Sequence, residues 1–266
     1  MDDSLYQSIQ VKIRQLFSID LEHYKDQQMK RRLGSWLVRS GYSDWDSYFL
    51  FVKDDEKEFG RFRDYLTINV SSFFRDPERW TTLQEQVLPQ LYNDKAGSRT
   101  GNGMRFWSAG CSIGAEPYSL IFQLDELRHR NSYYLLASDL DRGALKFASE
   151  GGPYRKEDIE NVSGDRMQRY FISGEPPYYV KPEFIKRVKY KELDLINDEF
   201  EGGFDLIICR NVVIYFTAET KKQLFQKFST ALRPGGILFV GGTEIIPQAA
   251  DLGLKSCGIS LYQKTS

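Results

Sequence analysis

From Asp3 to Asp94 the apolar residues fall at helical spacing, as in Met29, Leu33, Trp36 and Leu37, and no stretch alternates as a half-buried strand does. Gly41 closes one such helix. Ser43 is placed to cap the next, which carries Trp45, Tyr48, Phe49 and Val52, and Asp76-Pro77 sets an N-cap and an N1 proline before a helix over 78–92. A helical domain over residues 1–94 is expected, followed by a polar, glycine-rich linker at 95–103. Beyond it the pattern changes. Met104–Ala109, Tyr134–Ser138, Phe204–Cys209 and Ile237–Val240 read as short buried strands separated by helical stretches such as 117–130 and 218–232, which implies an α/β domain over 104–266 with a mainly parallel, doubly wound sheet. The proline-rich segment 169–193 breaks the alternation and is expected to form a small antiparallel β-subdomain inserted in that sheet. Leu254–Cys257 and Ile259–Tyr262 are expected to pair as a hairpin across Gly258.

Composition narrows the chemistry. Of the 266 residues, 41% are apolar and 27% charged, enough for a real core, and no apolar run approaches the roughly 18 residues of a membrane helix. The acidic start Met1-Asp2-Asp3 lacks a basic secretion-signal region, so a cytoplasmic protein without membrane insertion is expected. Cys111, Cys209 and Cys257 are too scattered for a disulfide framework, and with only His23 and His129 in the chain neither a metal site nor a Ser/His/Asp hydrolase is expected. Net charge is −1, and the one basic stretch holds Lys25, Lys30, Arg31, Arg32 and Arg39, which argues against a nucleic-acid partner.

The candidate cofactor site starts where the first strand runs into Gly110-Cys-Ser-Ile-Gly114, a strand-to-helix turn followed by Glu116. Two glycines in a turn can be loop chemistry alone. The second strand ends at Asp139, positioned either to accept ribose hydroxyls or to cap the next helix. No Lys or Arg follows the glycine turn to neutralise a pyrophosphate, so Glu116 and Asp139 suit a cationic ligand, S-adenosylmethionine, better than NAD or ATP. The strand 204–209 delivers Arg210, Asn211 and, further on, Tyr215, which is either a functional phenol or a packed aromatic.

Four motifs in order, Thr67-Ile-Asn69-Val-Ser71-Ser-Phe-Phe-Arg75-Asp-Pro77, Trp107-Ser-Ala-Gly-Cys-Ser-Ile-Gly-Ala-Glu-Pro-Tyr-Ser119, Ala137-Ser-Asp-Leu-Asp141 and Cys209-Arg-Asn-Val-Val-Ile-Tyr-Phe216, resemble the CheR-type chemotaxis receptor methyltransferases. The resemblance implies an S-adenosylmethionine methyltransferase of Rossmann-like fold behind an all-α domain, giving glutamate methyl esters on chemoreceptors and S-adenosylhomocysteine. It implies cofactor contacts from Asn69, Ser71, Arg75, Glu116, Asp139, Asp194, Leu195, Arg210 and Asn211, with Arg75 and Tyr215 in the active centre. Two positions depart from the usual pattern: Ala115 replaces one of two acids in the glycine turn, and Asp194 stands where Asn is common, so at 194 the backbone is the more secure contact.

A glutamate carboxylate is anionic near neutral pH, so methyl transfer needs no strong base and the scarcity of histidine fits. Arg75 stays protonated and is expected to orient the carboxylate, while Tyr215 either donates to the substrate or walls the methyl group. Lys25, Arg32 and Arg39 recur every seven residues on one helical face, either a docking face for an acidic receptor bundle or a solvated one. The turn 173–177 is short, which favours receptor binding without a C-terminal tether peptide, and a monomer is expected. The rival readings are a transferase acting on another protein or small molecule and a cofactor-sensing module without turnover.

Overall fold

The computed structural model describes residues 1–67, 71–96, 103–127 and 132–265. The chain forms two compact units, 1–68 with 213–222, and 69–212 with 223–266. The second, containing the sheet, takes in residues 69–94, which the helical pattern alone had assigned to the first domain; that pattern reports which face of a helix is buried but not against what. Most of the expected linker lies outside the described residues.

The first unit holds helices α1 (Asp3–Phe17), α2 (Asp26–Ser40), α3 (Trp45–Asp54) and α4 (Glu56–Thr67). Their apolar faces meet in an aromatic core where Phe62 lies 5.3 Å from both Trp36 and Tyr48, ring centre to ring centre, and the Trp36 indole donates to the Tyr48 hydroxyl at 2.7 Å. The cap of α3 is Asp44, whose carboxylate accepts the Ser47 amide at 2.8 Å; Ser43 instead donates its hydroxyl to that carboxylate. The returning segment 213–222 adds a short 3-10 turn, Val213–Tyr215, and Phe216 bridges antiparallel to Tyr24.

In the second unit α5 (Pro77–Thr82) continues through a wider helical turn at Leu83–Val87 into α6 (Leu88–Ala96). Then come β1 (Met104–Ala109), α7 (Ala115–Glu126), β2 (Tyr133–Asp139), α8 (Arg142–Glu150), α9 (Gly164–Tyr170), α10 (Pro182–Ile185), β3 (Lys189–Glu192) and β4 (Phe204–Cys209). The helix α11 (Ala218–Ala231), which is part of the first unit up to Lys222, β5 (Leu232–Val240), β6 (Leu254–Gly258) and β7 (Leu261–Lys264) complete the chain. The sheet order is β3-β2-β1-β4-β5-β7-β6, parallel from β3 to β5, with β7 antiparallel to both β5 and β6. All six residues of β4 are buried and α7 is buried from Ala115 to Leu124 apart from Glu116, as expected of elements at the centre of a covered parallel sheet.

The expected β-subdomain is smaller than 169–193. Its antiparallel part is the excursion from Phe171 to Val180, held by the bridges Phe171↔Val180 and Tyr154↔Tyr178, while β3 joins the main sheet parallel to β2. The strand order reverses between β1 and β4, so their carboxyl ends open a crevice of the kind that holds ligands in doubly wound sheets.

Candidate active site

The turn after β1 is built for close approach. Gly110 and Gly114 both adopt left-handed φ, +78° and +87°, and a Cβ at Gly114 would sit 2.7 Å from the Ala148 Cβ of α8. The loop is pinned from the next strand: the Gly110 and Cys111 amides donate to the Ser138 carbonyl at 2.8 and 2.9 Å, and the Ser112 amide donates to Asp139 Oδ2 at 2.7 Å. The other Asp139 oxygen accepts the Asp141 amide at 3.0 Å, and it is Asp141, not Asp139, that caps α8. Burial lifts the Asp139 carboxyl to about 6, against the pull of those amides.

Glu116 opens α7 and accepts the Ser108 hydroxyl at 2.7 Å. Desolvation raises its carboxyl to about 7, opposed by the charge of Arg210 and the Ser108 hydrogen bond. Arg210 leaves the end of β4 with its side chain only 3% exposed, donates to Asp76 Oδ2 at 2.6 Å and lies 4.9 Å from the centre of the Phe239 ring. Asn211 takes a left-handed φ of +61°, and its amide donates at 3.0 Å to Glu244 Oε2, which also accepts the Gly241 amide at 2.6 Å. Glu244, buried just past β5, thereby clamps the ends of two adjacent strands. Its place at the carboxyl edge of the sheet was a legible signal that went unused.

Asp194 and Leu195 follow β3, connected to β2 by the Leu193 amide donating to the Asp139 carbonyl at 3.0 Å. The Asp194 carboxylate is spent within its own turn, accepting Ile196 N and the Asn197 side chain, each at 2.8 Å, and the Asp194 amide donates to Asp198 Oδ2, also at 2.8 Å. Lys227, also missed in the sequence, donates its ammonium to the Leu195, Ile196 and Asp198 carbonyls at 2.9, 2.9 and 2.7 Å. Replacing Lys227 with Met removes a cation that gathers three carbonyls and is expected to destabilise the fold by on the order of 1.5 kcal/mol or more, read as a lowered melting temperature, since hydrogen bonds to a charged group contribute about that much.

Arg75 sits in a turn whose neighbours Phe74 and Asp76 both have left-handed φ, +51° and +57°. Phe74 is fastened by its amide to the Ser119 hydroxyl at 2.9 Å and Phe73 by its amide to the Asp158 carbonyl at 2.8 Å. Arg75 lines an open cavity of about 660 Å³ with Ser71, Ser72, Asp76, Ile113, Phe147, Arg155, Glu157 and Asn161 among its walls. Asn69 lies outside the described residues.

The remaining expected residues belong to the first unit. The Tyr215 carbonyl accepts the Lys25 amide at 2.9 Å, and Lys25 and Arg39 are exposed. Arg32 is committed elsewhere: its guanidinium donates to the Tyr65 carbonyl and stacks 4.4 Å from the Tyr65 ring centre, and burial lowers its pKa. The repeat of basic residues therefore presents two outward cations, not three.

A cofactor of cationic character fits this arrangement. The Ser112 hydroxyl in the glycine turn is buried without a hydrogen-bond partner, and two desolvated carboxyls flank the crevice where a positive ligand would favour their ionised forms. No grouping of His, Cys, Asp and Glu among the described residues could hold a metal ion.

A doubly wound sheet with a glycine turn after its first strand and an acid at the end of the next defines a Rossmann-like cofactor-binding domain. The chain belongs to the CheR methyltransferase family: the family's S-adenosylmethionine-binding domain matches residues 69–259 and its all-alpha domain residues 4–67. It is 42% identical over 253 residues to a chemotaxis protein methyltransferase of Listeria monocytogenes, covering 95% of this chain and 94% of that one. Similar enzymes from Klebsiella aerogenes, 35% identical (93% and 85% covered), and Escherichia coli, 31% identical (92% and 85% covered), bear the same description.

Proposed function

We propose that this protein transfers the methyl group of S-adenosylmethionine to glutamate side chains of chemoreceptors, leaving glutamate methyl esters and S-adenosylhomocysteine. The observation that carries the reading is the Arg75 turn: a guanidinium between two left-handed residues, on the wall of an open cavity, in a domain matched as binding S-adenosylmethionine.

When bound, the cofactor supplies a methyl group made electrophilic by a sulfonium sulfur. Glu116 and Asp139 favour positive charge at the switch point, the glycine turn lets the ligand reach the backbone, and the turn after β3 that carries Asp194 and Leu195 faces its adenine side. Arg75 binds one oxygen of the incoming carboxylate and leaves the other free to attack in line, so the gain is in orientation and no proton has to be moved. Tyr215 keeps the active-centre role its motif implies, as donor or as wall.

The partner is a receptor's cytoplasmic helical bundle, rich in glutamate, met by the outward Lys25 and Arg39 in the cytoplasm by a monomer of this protein. No helix among the described residues is long and apolar enough to cross a membrane. Docking proceeds without a receptor tail peptide, because the 171–180 excursion carries only the short turn at 173–177; tight capture by immobilised tail peptides contradicts this. Methyl esters mapped by mass spectrometry to receptor glutamates test the substrate assignment, and label on another protein moves it.

A further inference from the structure

Asp76 stands where a helix cap belongs and does not act as one. It directly precedes Pro77 at the start of α5, yet its backbone is left-handed (φ +57°, ψ +70°) and not extended as a cap requires, and its side chain accepts no amide of the helix. A non-glycine residue in this region is strained, and the forgone cap is a further loss. The carboxylate reaches instead to the end of β4, 134 residues away, where Oδ2 accepts from Arg210 at 2.6 Å.

That bond matters because of what surrounds Arg210. Its guanidinium is almost wholly buried, burial lowers its pKa, and the nearby charges of Arg75 and Arg79 push the same way, while Glu116 and Asp76 oppose them. Arg79 is held apart from it by donating to the Ser260 hydroxyl at 2.9 Å. Two acids thus act on Arg210 with different duties: Glu116 through its charge alone, desolvated at the cofactor crevice, and Asp76 through the hydrogen bond, half-exposed on the wall of the Arg75 cavity.

We infer that Asp76 is a positioning residue: through its bond to Arg210 it fixes the charge beside Glu116 at the cofactor crevice, and through its backbone it aims Arg75 into the substrate cavity. One side chain thereby couples the residue that orients the carboxylate to the strand end that holds the cofactor. The inference rests on the proposed methyl transfer for its kinetic readout and on S-adenosylhomocysteine binding for the other.

Asparagine is as good a helix cap as aspartate, so Asp76→Asn keeps any capping role and removes only the charge that holds Arg210. The expected result is a fall of tenfold or more in kcat/KM for receptor methylation and a severalfold rise in the Kd of S-adenosylhomocysteine by calorimetry, with the melting temperature close to wild type. Asp76→Glu, which restores the carboxylate, recovers activity to within about threefold, and the Asp76→Asn, Arg210→Gln double variant is no worse than Arg210→Gln alone, because residues acting through one contact do not add. Asp76→Asn within twofold of wild type in both readouts, or losses that multiply in the double variant, overturns the inference. If Asp76→Asn does not fold, Asp76→Ser, also a capping residue but too short to reach Arg210, carries the same expectations. A wild type that binds S-adenosylhomocysteine but methylates no receptor defeats the proposed function while calorimetry still decides the role of Asp76.

Discussion

Arg75→Ala is expected to lower receptor methylation on the order of 100-fold or more, with a much smaller loss of S-adenosylhomocysteine binding. Displacement at a methyl carbon demands that attacking oxygen, carbon and leaving sulfur line up, and holding reactants in such geometry is among the largest sources of rate available to an enzyme. The nucleophile is already charged and no base is required, so orientation is the main contribution left to the protein. Arg75 is placed for it by the left-handed turn and by the anchoring of Phe73 and Phe74 to Asp158 and Ser119. Arg75→Lys keeps the charge without the planar fork and should fall between the two. The loss belongs in kcat as well as kcat/KM, because the guanidinium acts on the attacking geometry and not only on docking. An alanine variant within fivefold of wild type contradicts this role.

The second large effect is expected at Glu116, where binding and stability should move in opposite directions. Its carboxyl is lifted from 4.5 to about 7 by burial, so without ligand the group is partly protonated at neutral pH. A cationic ligand favours the ionised form, and S-adenosylmethionine affinity should therefore rise from about pH 6 to about pH 8 as Glu116 ionises. Glu116→Gln cannot ionise and should bind at least about tenfold more weakly at the upper pH, with most of the slope gone; the part that remains near the lower end belongs to Asp139, lifted to about 6. Stability has the other sign. Because the folded pKa lies above the unfolded one, the folded protein holds the extra proton between them, and the ligand-free enzyme loses stability as pH rises through 4.5 to about 7. Ligand-free Glu116→Gln should therefore melt above wild type at high pH although it binds the cofactor less well, a cost of the kind active sites impose on their folds. Calorimetry and thermal melting across this range check both signs; a pH-independent wild-type affinity contradicts the assignment of Glu116 to the cofactor.

The sequence made the centre of the sheet legible because fully covered parallel strands are continuous apolar runs, as in Phe204–Cys209, and because the glycine turn and Asp139 fall at strand ends. The edge was not legible in the same way. Lys-Tyr-Lys-Glu at 189–192 is mostly exposed and polar, so nothing in its pattern announces a parallel strand beside β2. Residues 71–94 look like any amphipathic helical stretch, and their place beside the sheet is set by partners such as Ser119, 45 residues from Phe74. The same distance hid the polar fasteners. Asp76 looks like a cap and Lys227 carries no signal at all, because each acts through a hydrogen bond spanning 30 residues or more. Asp194 shows the converse: a side chain implied as a ligand contact is occupied by its own local turn.

The central claim, esterification of receptor glutamates, is tested most directly by incubating the protein with S-adenosylmethionine labelled in its methyl group and receptor-containing membranes, and measuring label released as methanol by mild base. The account predicts base-labile label on the receptor band that is lost with Arg75→Ala; cofactor binding without labelled receptor, or label that resists base, contradicts it.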